Sequence, residues 1–321
     1  MERSPIPVSF FSIAVGVLAL ANAWRVAARL WSLPQGVPSA LAAAGLAIWL
    51  VLVLLYAHKW LRHRDAARAE LAHPVQSSFV ALLPVSTLLA ALVLPPSARV
   101  PALLLFSLAT AGQLALGLWL YGRFWQGGRA PGLVTPALYL PAVAQNFVAA
   151  TAAAGFGWPQ WGSLFFGAGL FSWLAIESLV LARAAVQEPV PEAMRPLLGV
   201  QLAPPVVGGV AYMAITSGAP DLFAQMLLGY GIYLALLLLR LLPWILRQPF
   251  APSYWAFSFG VAALPTLAMR LLERGATGAV EWLAPMLFVA ANMVIGLMLL
   301  KTLALLLRGQ LLPRAPAPAT R

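Results

Sequence analysis

The sequence predicts an all-α polytopic membrane protein of ten transmembrane helices, and three observations predict it. Of its 321 residues, 62% are hydrophobic and only 9% charged, with a mean hydropathy of +0.86; a soluble domain carries about 25% charged residues. Apolar runs of roughly 18 to 25 residues recur along the chain, the length that crosses about 30 Å of hydrocarbon. Lys and Arg gather in the short connections between those runs. The net charge of +11 is therefore read as a topology signal and not as a nucleic-acid surface.

The spans are expected at about 7–28, 37–60, 76–94, 101–121, 136–154, 161–183, 197–216, 222–246, 253–271 and 281–306. The first follows Arg3 and contains Ala-Leu-Ala-Asn-Ala at 19–23, which invites a signal-peptide reading. Its weak basic region and long apolar run favour a retained helix. It brings Ser9 and Ser12. The second is a Leu/Val/Ala rod, "AIWLVLVLLY" at 47–56. The third carries Ser77, Ser78, Ser86 and Thr87 around an interior Pro84, and the fourth has no interior proline. The fifth holds Pro141 with Gln145 and Asn146. The sixth contains Glu177, read as pairing with a neighbouring helix instead of lining a pore. Gln201 and the pair Pro204–Pro205 mark the seventh, and "IYLALLLLRLLPW" at 232–244 the eighth. The ninth has Ser258, Thr266 and Pro265; the tenth keeps Pro285 near its start. Residues 1–307 form one transmembrane domain, and 308–321, "RGQLLPRAPAPATR", reads as a disordered, cytoplasmic Pro/Ala-rich tail.

Odd and even spans thus differ in kind. Interior prolines fall in odd spans, whereas Pro243 and Pro285 lie near the ends of even ones. Odd spans start roughly every 56 to 69 residues, so the chain parses as five helical hairpins. Positive charge sets the orientation. With both termini cytoplasmic, the inside holds Arg3, Lys59, Arg62, Arg64, Arg68, Arg123, Arg129, Arg183, Arg195, Arg240, Arg247, Lys301, Arg308, Arg314 and Arg321. Only Arg25, Arg29, Arg99, Arg270 and Arg274 remain outside, and this asymmetry decides the topology. Trp24, Trp60, Trp125, Trp158, Trp244 and Trp282 fall near span ends, where amphipathic rings prefer the headgroup layer.

A proline within a helix removes a donor and frees the carbonyl four residues earlier, and in lipid that carbonyl needs protein or water beside it. The breaks expected at Pro84, Pro141, Pro204 and Pro265 therefore leave two readings, simple packing kinks or a shared polar axis. On the second reading the odd helices supply hydroxyls and amides but no midplane charge. Such a neutral wall passes an ion without holding it, and a basic cytoplasmic mouth favours anions. In "SYWAFSFGVAALP" (253–265), Phe257 and Phe259 point roughly 200° apart on a helix. Phe257 shares a stripe with Tyr254, Val261 and Leu264 and reads as packing. Phe259 stands among Ala256, Ala262, Ala263 and Thr266, with Gly260 beside it leaving room for the ring to turn. It is either a core ring or a hydrophobic plug across the axis.

Cysteine is absent, which excludes disulfides, thiolate catalysis and Cys-ligated metals. His58, His63 and His73 share one basic connection, and neither an HExxH motif nor a paired-carboxylate motif occurs. The chain is expected to be no enzyme and to need no metal or cofactor.

Several stretches resemble the TehA family, the bacterial tellurite-resistance and dicarboxylate-transporter group that includes the plant guard-cell slow anion channel. They are "HPVQSSFVALLP" (73–84), "LYLPAVAQNF" (138–147), "LFFGAG" (164–169), "GVQLAP" (199–204), "GYGIYLALLLLRLLPWI" (229–245), "WAFSFG" (255–260), "NMVIGL" (292–297) and "LLRGQ" (306–310). The resemblance implies five hairpins around a pseudo-fivefold axis, odd helices inner and even helices outer, with a pore through each protomer of a homotrimer. It implies a gated anion channel of the bacterial inner membrane, passing small monovalent anions such as chloride and nitrate, with Phe259 as the gating ring. Pro84, Pro141, Pro204, Pro265, Ser9, Ser12, Ser86, Asn146 and Gly260 are the expected kink and pore-lining positions. The alternatives are a secondary exporter of C4-dicarboxylate, sulfite or tellurium oxyanion, and a non-transporting scaffold or enzyme subunit. The first helix departs from the family's Phe-Gly-Ile-Pro-Leu-Gly run: "FSIAVG" (11–16) has Ser12 and Ala14 in those places. A straighter first inner helix is expected.

Overall fold

The computed structural model describes residues 5–312, and every regular element among them is helical. Ten helices are long and apolar enough to cross a membrane: α1 (Val8–Leu30), α2 (Gly36–Arg62), α3 (Gln76–Val93), α4 (Pro96–Trp125), α5 (Pro136–Gly155), α6 (Pro159–Val186), α7 (Glu192–Ile215), α8 (Leu222–Ile245), α9 (Pro252–Glu273) and α10 (Ala279–Leu307). They match the ten expected spans in order and approximate extent. A short helix, Arg64–Ala72, lies in the connection between α2 and α3. Of the tail expected to be disordered, residues 313–321 lie outside the described residues, as does Arg3.

Burial sorts the helices as expected. The odd helices bury 67 to 83% of their apolar stretch and the even ones only 22 to 33%. Leucines such as Leu104, Leu108, Leu118 and Leu236 on the even helices stay exposed, the surface a bilayer covers. Each even helix packs on the odd helix before it, making five hairpins. Among the odd helices, α1 packs on α3, α3 on α5, α5 on α7, α7 on α9, and α9 returns to α1. The inner helices therefore close a ring.

Inner helices start irregularly. α1 opens with a 3₁₀ turn at Val8–Phe10 and α5 with one at Pro136–Tyr139. α7 and α9 open with longer 3₁₀ segments, Glu192–Leu202 and Pro252–Phe257. α3 begins as a single turn, Gln76–Phe79, separated from its main helix, Leu82–Val93. The interior prolines act differently from expectation. Pro84 lies in the first turn of Leu82–Val93, and Pro204 and Pro205 lie in the first turn of Ala203–Ile215, where a missing N–H costs little. Pro141 sits in a π-helical segment, Leu140–Ala144, and its own carbonyl accepts from the Gln145 side chain, which also donates to Gln113 O at 3.1 Å. The break expected at Pro265 is absent, because Ser258–Glu273 runs through it as continuous α-helix. The irregular backbone of α9 lies instead just before Ser258. Without a proline, α1 continues as unbroken α-helix from Phe11 to Leu30.

One buried ion pair anchors the start of α1. Lys59 Nζ lies 2.9 Å from Glu70 Oε2, with the two side chains 5% and 8% exposed. Glu70 Oε1 accepts the Val8 N–H at 2.8 Å, and Lys59 donates to Ile6 O at 3.2 Å. The pair thereby satisfies a donor that the first turn cannot. Glu70→Ala strands the Lys59 ammonium in the interior and is expected to cost about 3–5 kcal/mol. The thermal midpoint of detergent-solubilised protein should fall clearly, and a Lys59→Met/Glu70→Leu double variant should recover much of the loss. An unchanged midpoint in Glu70→Ala would contradict this anchoring.

Candidate functional site

The C-terminal halves of the inner helices enclose a cavity of about 320 Å³. Its wall draws on all five odd helices and on no even helix. α1 contributes Ala19, Asn22 and Val26; α3 contributes Leu89 and Leu92; α5 contributes Val148, Thr151, Ala154 and Gly155. α7 adds Val207, Val210, Met213 and Ala214, and α9 adds Phe259, Ala263, Thr266 and Arg270, followed by Arg274. These positions recur at steps of three and four, so each helix turns one stripe toward the cavity. Phe259 is the one aromatic residue in the wall and the most N-terminal position that α9 supplies. From Phe259 to Arg270 the wall rises about 16 Å along α9, and the rim includes exposed Gly155.

Of the residues expected to line a pore, the cavity gathers Phe259 and, along its stripe, Ala263 and Thr266. The Phe257 ring lies over Gly199 of α7, where an added Cβ would fall 2.5 Å from ring carbons, so this ring is packing. Gly260 lies off the wall. An added Cβ there would come within 2.8 Å of Leu202 Cβ and 3.1 Å of the Ala203 backbone N. Its missing side chain lets α9 approach α7 and provides no space for the ring of Phe259. Pro84, Pro141, Pro204 and Pro265 are buried outside the wall. Ser86 is fully buried and donates to Leu83 O at 2.9 Å. Asn146 donates to Ala142 O at 2.7 Å, with its Cβ toward Gly169 of α6. Ser12 donates to Ser9 O at 2.6 Å near the start of α1. These polar groups bond back to their own helix and lie outside the cavity.

Sequence reasoning left Asn22, Thr151 and Arg270 out of the site. Arg270 was within reach of it: positions 259, 263, 266 and 270 form one uninterrupted helical stripe. Basic groups were expected to set the sign at the N-terminal mouth alone. The structure places them at the cavity end as well. Arg25 donates to the last carbonyls of α3, Leu92 O at 2.8 Å and Val93 O. Arg274 donates to Met213 O and Thr216 O at the end of α7, and to Thr216 Oγ1 at 3.1 Å. Both arginines satisfy carbonyls that a helix end leaves orphaned, with positive charge at the negative end of the dipole. Arg29 pairs with Glu273 at 3.1 Å, while Arg270 Nη1 stands 3.9 Å from the same carboxylate.

Glu177 lies away from the cavity, among neighbouring helices as expected. Its Oε2 lies 2.7 Å from the Tyr139 hydroxyl and accepts from Trp173 Nε1 at 2.8 Å; Tyr230 of α8 approaches Oε1 at 3.4 Å. The Tyr139 hydroxyl also stands 3.0 Å from Gln201 Oε1, so this cluster ties α5 through α8 together.

A family model described as SLAC1, voltage-dependent anion channel, matches residues 5–303. The chain is 36% identical over 307 residues to the tellurite resistance protein TehA homolog of Haemophilus influenzae, covering 95% of this chain and 92% of that protein. It is 26% identical over 272 residues to the S-type anion channel SLAH3 of Arabidopsis thaliana, covering 81% and 42% respectively. To the guard cell S-type anion channel SLAC1 of the same plant it is 22% identical over 282 residues, covering 83% and 50%. The chain thus spans half or less of these plant relatives.

The close approach of α9 to α7 generates a stability test. Gly260→Val must displace Leu202 or the backbone at Ala203 and is expected to cost about 1–3 kcal/mol. Gly229→Ala, on an exposed site within α8 and with nothing within 4 Å of the added Cβ, should leave the thermal midpoint no lower, because Ala suits a helix interior better than Gly. Equal midpoints for the two variants would mean that the α7–α9 contact tolerates a side chain.

Proposed function

Because the chain belongs to the SLAC1 family of voltage-dependent anion channels, we propose that it passes small monovalent anions, chloride and nitrate among them, through a pore enclosed by α1, α3, α5, α7 and α9, with Phe259 occluding that pore. The observation that carries this reading is the cavity wall itself. All five inner helices build it, no lipid-facing helix enters it, and its one aromatic ring sits at the N-terminal end of the α9 stripe. Around that ring the wall is Ala, Val and Leu, which offer a departing hydration shell no replacement. A benzyl group across such a passage blocks ions by excluding water, and conduction requires the ring to move.

The same reading places the protein in the bacterial inner membrane as a multi-pass homotrimer with both termini cytoplasmic. The excess of Lys and Arg at the N-terminal ends of the odd helices supports that orientation, and the Phe259 cavity then opens away from the cytoplasm. Transport needs neither catalysis nor a cofactor. A second reading is secondary export of a tellurium oxyanion, sulfite or a C4-dicarboxylate; the name of the Haemophilus relative, a tellurite resistance protein TehA homolog, supports the tellurium oxyanion alone. The two differ in coupling. A channel gives a current that persists without a proton gradient, whereas an exporter gives saturable flux that depends on one.

In liposomes or oocytes, Phe259→Ala should raise chloride current about tenfold or more, a barrier lowered by ~1.4 kcal/mol. Unchanged current at equal surface expression would sink the occlusion.

A further inference from the structure

We propose that the cavity beyond Phe259 is a binding subsite for small planar oxyanions, nitrate or a carboxylate, in which the Arg270 guanidinium is the principal donor and the Asn22 amide the second. The inference rests on the anion-conducting reading above and gives that pathway a selectivity element.

Four arginines stand at this end of the inner ring, and three are occupied. Arg25 and Arg274 cap the carbonyl ends of α3 and α7, and Arg29 holds Glu273 at 3.1 Å. Arg270 belongs to the cavity wall. Its Nε is buried and has no hydrogen-bond partner among the described residues. The nearest carboxylate oxygen, on Glu273, is 3.9 Å from Nη1. A buried guanidinium N–H without an acceptor is costly, so Arg270, whose side chain is 34% exposed and borders the cavity, gains by turning that N–H toward an anion held there.

The shape of the donor set selects the ligand class. A guanidinium edge presents two parallel N–H bonds that match two coplanar oxygens, whereas a halide is a single point. Asn22 lines the same cavity and brings an amide donor to it. The hydroxyl protons of Thr151 and Thr266 are committed to Phe147 O at 3.0 Å and Ala262 O at 2.7 Å, so these residues offer no donor. The cavity of about 320 Å³ far exceeds the space of about 10–15 Å³ that one water requires, so a partly hydrated oxyanion fits. Glu273 shares the field of Arg270 and keeps the hold loose enough for release, as conduction demands.

The test uses the full chain in detergent and in liposomes. At fixed ionic strength, nitrate or formate replacing chloride should raise the thermal midpoint of wild type. That shift should vanish in Arg270→Gln and shrink in Arg270→Lys, which keeps the charge but loses the fork. In liposomes carrying Phe259→Ala, adding Arg270→Gln should lower the nitrate-to-chloride permeability ratio about tenfold, which is ~1.4 kcal/mol of discrimination. No oxyanion-specific shift in wild type, a shift retained in Arg270→Gln, or an unchanged permeability ratio would each overturn the subsite. Absence of any current in Phe259→Ala would count against the occluded channel, and the midpoint measurement would still decide the binding site.

Discussion

The structure depends first on a rule of the bilayer: each backbone N–H and C=O at membrane depth must find its partner within the protein. Straight helices meet the rule by themselves, and the even helices do. Four of the odd helices start in 3₁₀ or π segments and α3 starts as a separate single turn, and so they must borrow. Glu70 takes the Val8 N–H, Gln145 serves Pro141 and Gln113, and Arg25 and Arg274 serve the ends of α3 and α7. Each borrowed bond comes from another element or from a side chain aimed along the helix. Irregular helices are tolerated here because they are surrounded.

That surrounding requires close approach, and small residues permit it. A Cβ added at Gly16 would lie 2.4 Å from Ser258 Oγ, and one added at Gly209 would lie 2.3 Å from Leu267. One contact joins α1 to α9 and the other joins α7 to α9, so α9 is drawn in on both sides. A helix held this tightly has little freedom to rotate as a body. On the proposed occlusion by Phe259, motion that clears the pathway is more economically assigned to that side chain than to α9, since exposed or partly exposed rotamers change within picoseconds to nanoseconds while helix shifts are far slower.

Much of this was legible in the sequence. Run length and the placement of Lys and Arg located all ten spans, and the contrast between proline-bearing and rod-like spans separated inner from outer helices. The face of Phe259 could be read from its small neighbours. The roles of individual polar residues could not. Ser12, Ser86 and Asn146 can hydrogen-bond back to their own helix at i−3 or i−4, and they do so; a polar residue in an apolar run carries no mark that distinguishes this from lining a pore. Prolines mislead in the same way, because Pro204 in a first turn and Pro265 in mid-helix look alike until the helix start is known. Gly260 seemed to offer space because its partner on α7 is far away in the chain.

Arg270 changes the electrostatic argument about the wall. A uniformly neutral passage would avoid trapping an anion but would also do nothing to lower the cost of entry. The cavity divides these tasks along its length. Near Phe259 the wall is apolar and uncharged, and farther along it carries the guanidinium of Arg270, with a carboxylate 3.9 Å away, and then that of Arg274. Glu273 thus offsets part of the attraction that Arg270 would exert on an arriving anion, an effect screened by the solvent that reaches both side chains. The Arg29 contact at 3.1 Å draws Glu273 toward α1 and so adjusts how much of that offset Arg270 receives. On the proposed reading, anion affinity in the cavity is set by three charged side chains, Arg29, Arg270 and Glu273, on α1 and α9, the two helices whose packing also positions Phe259.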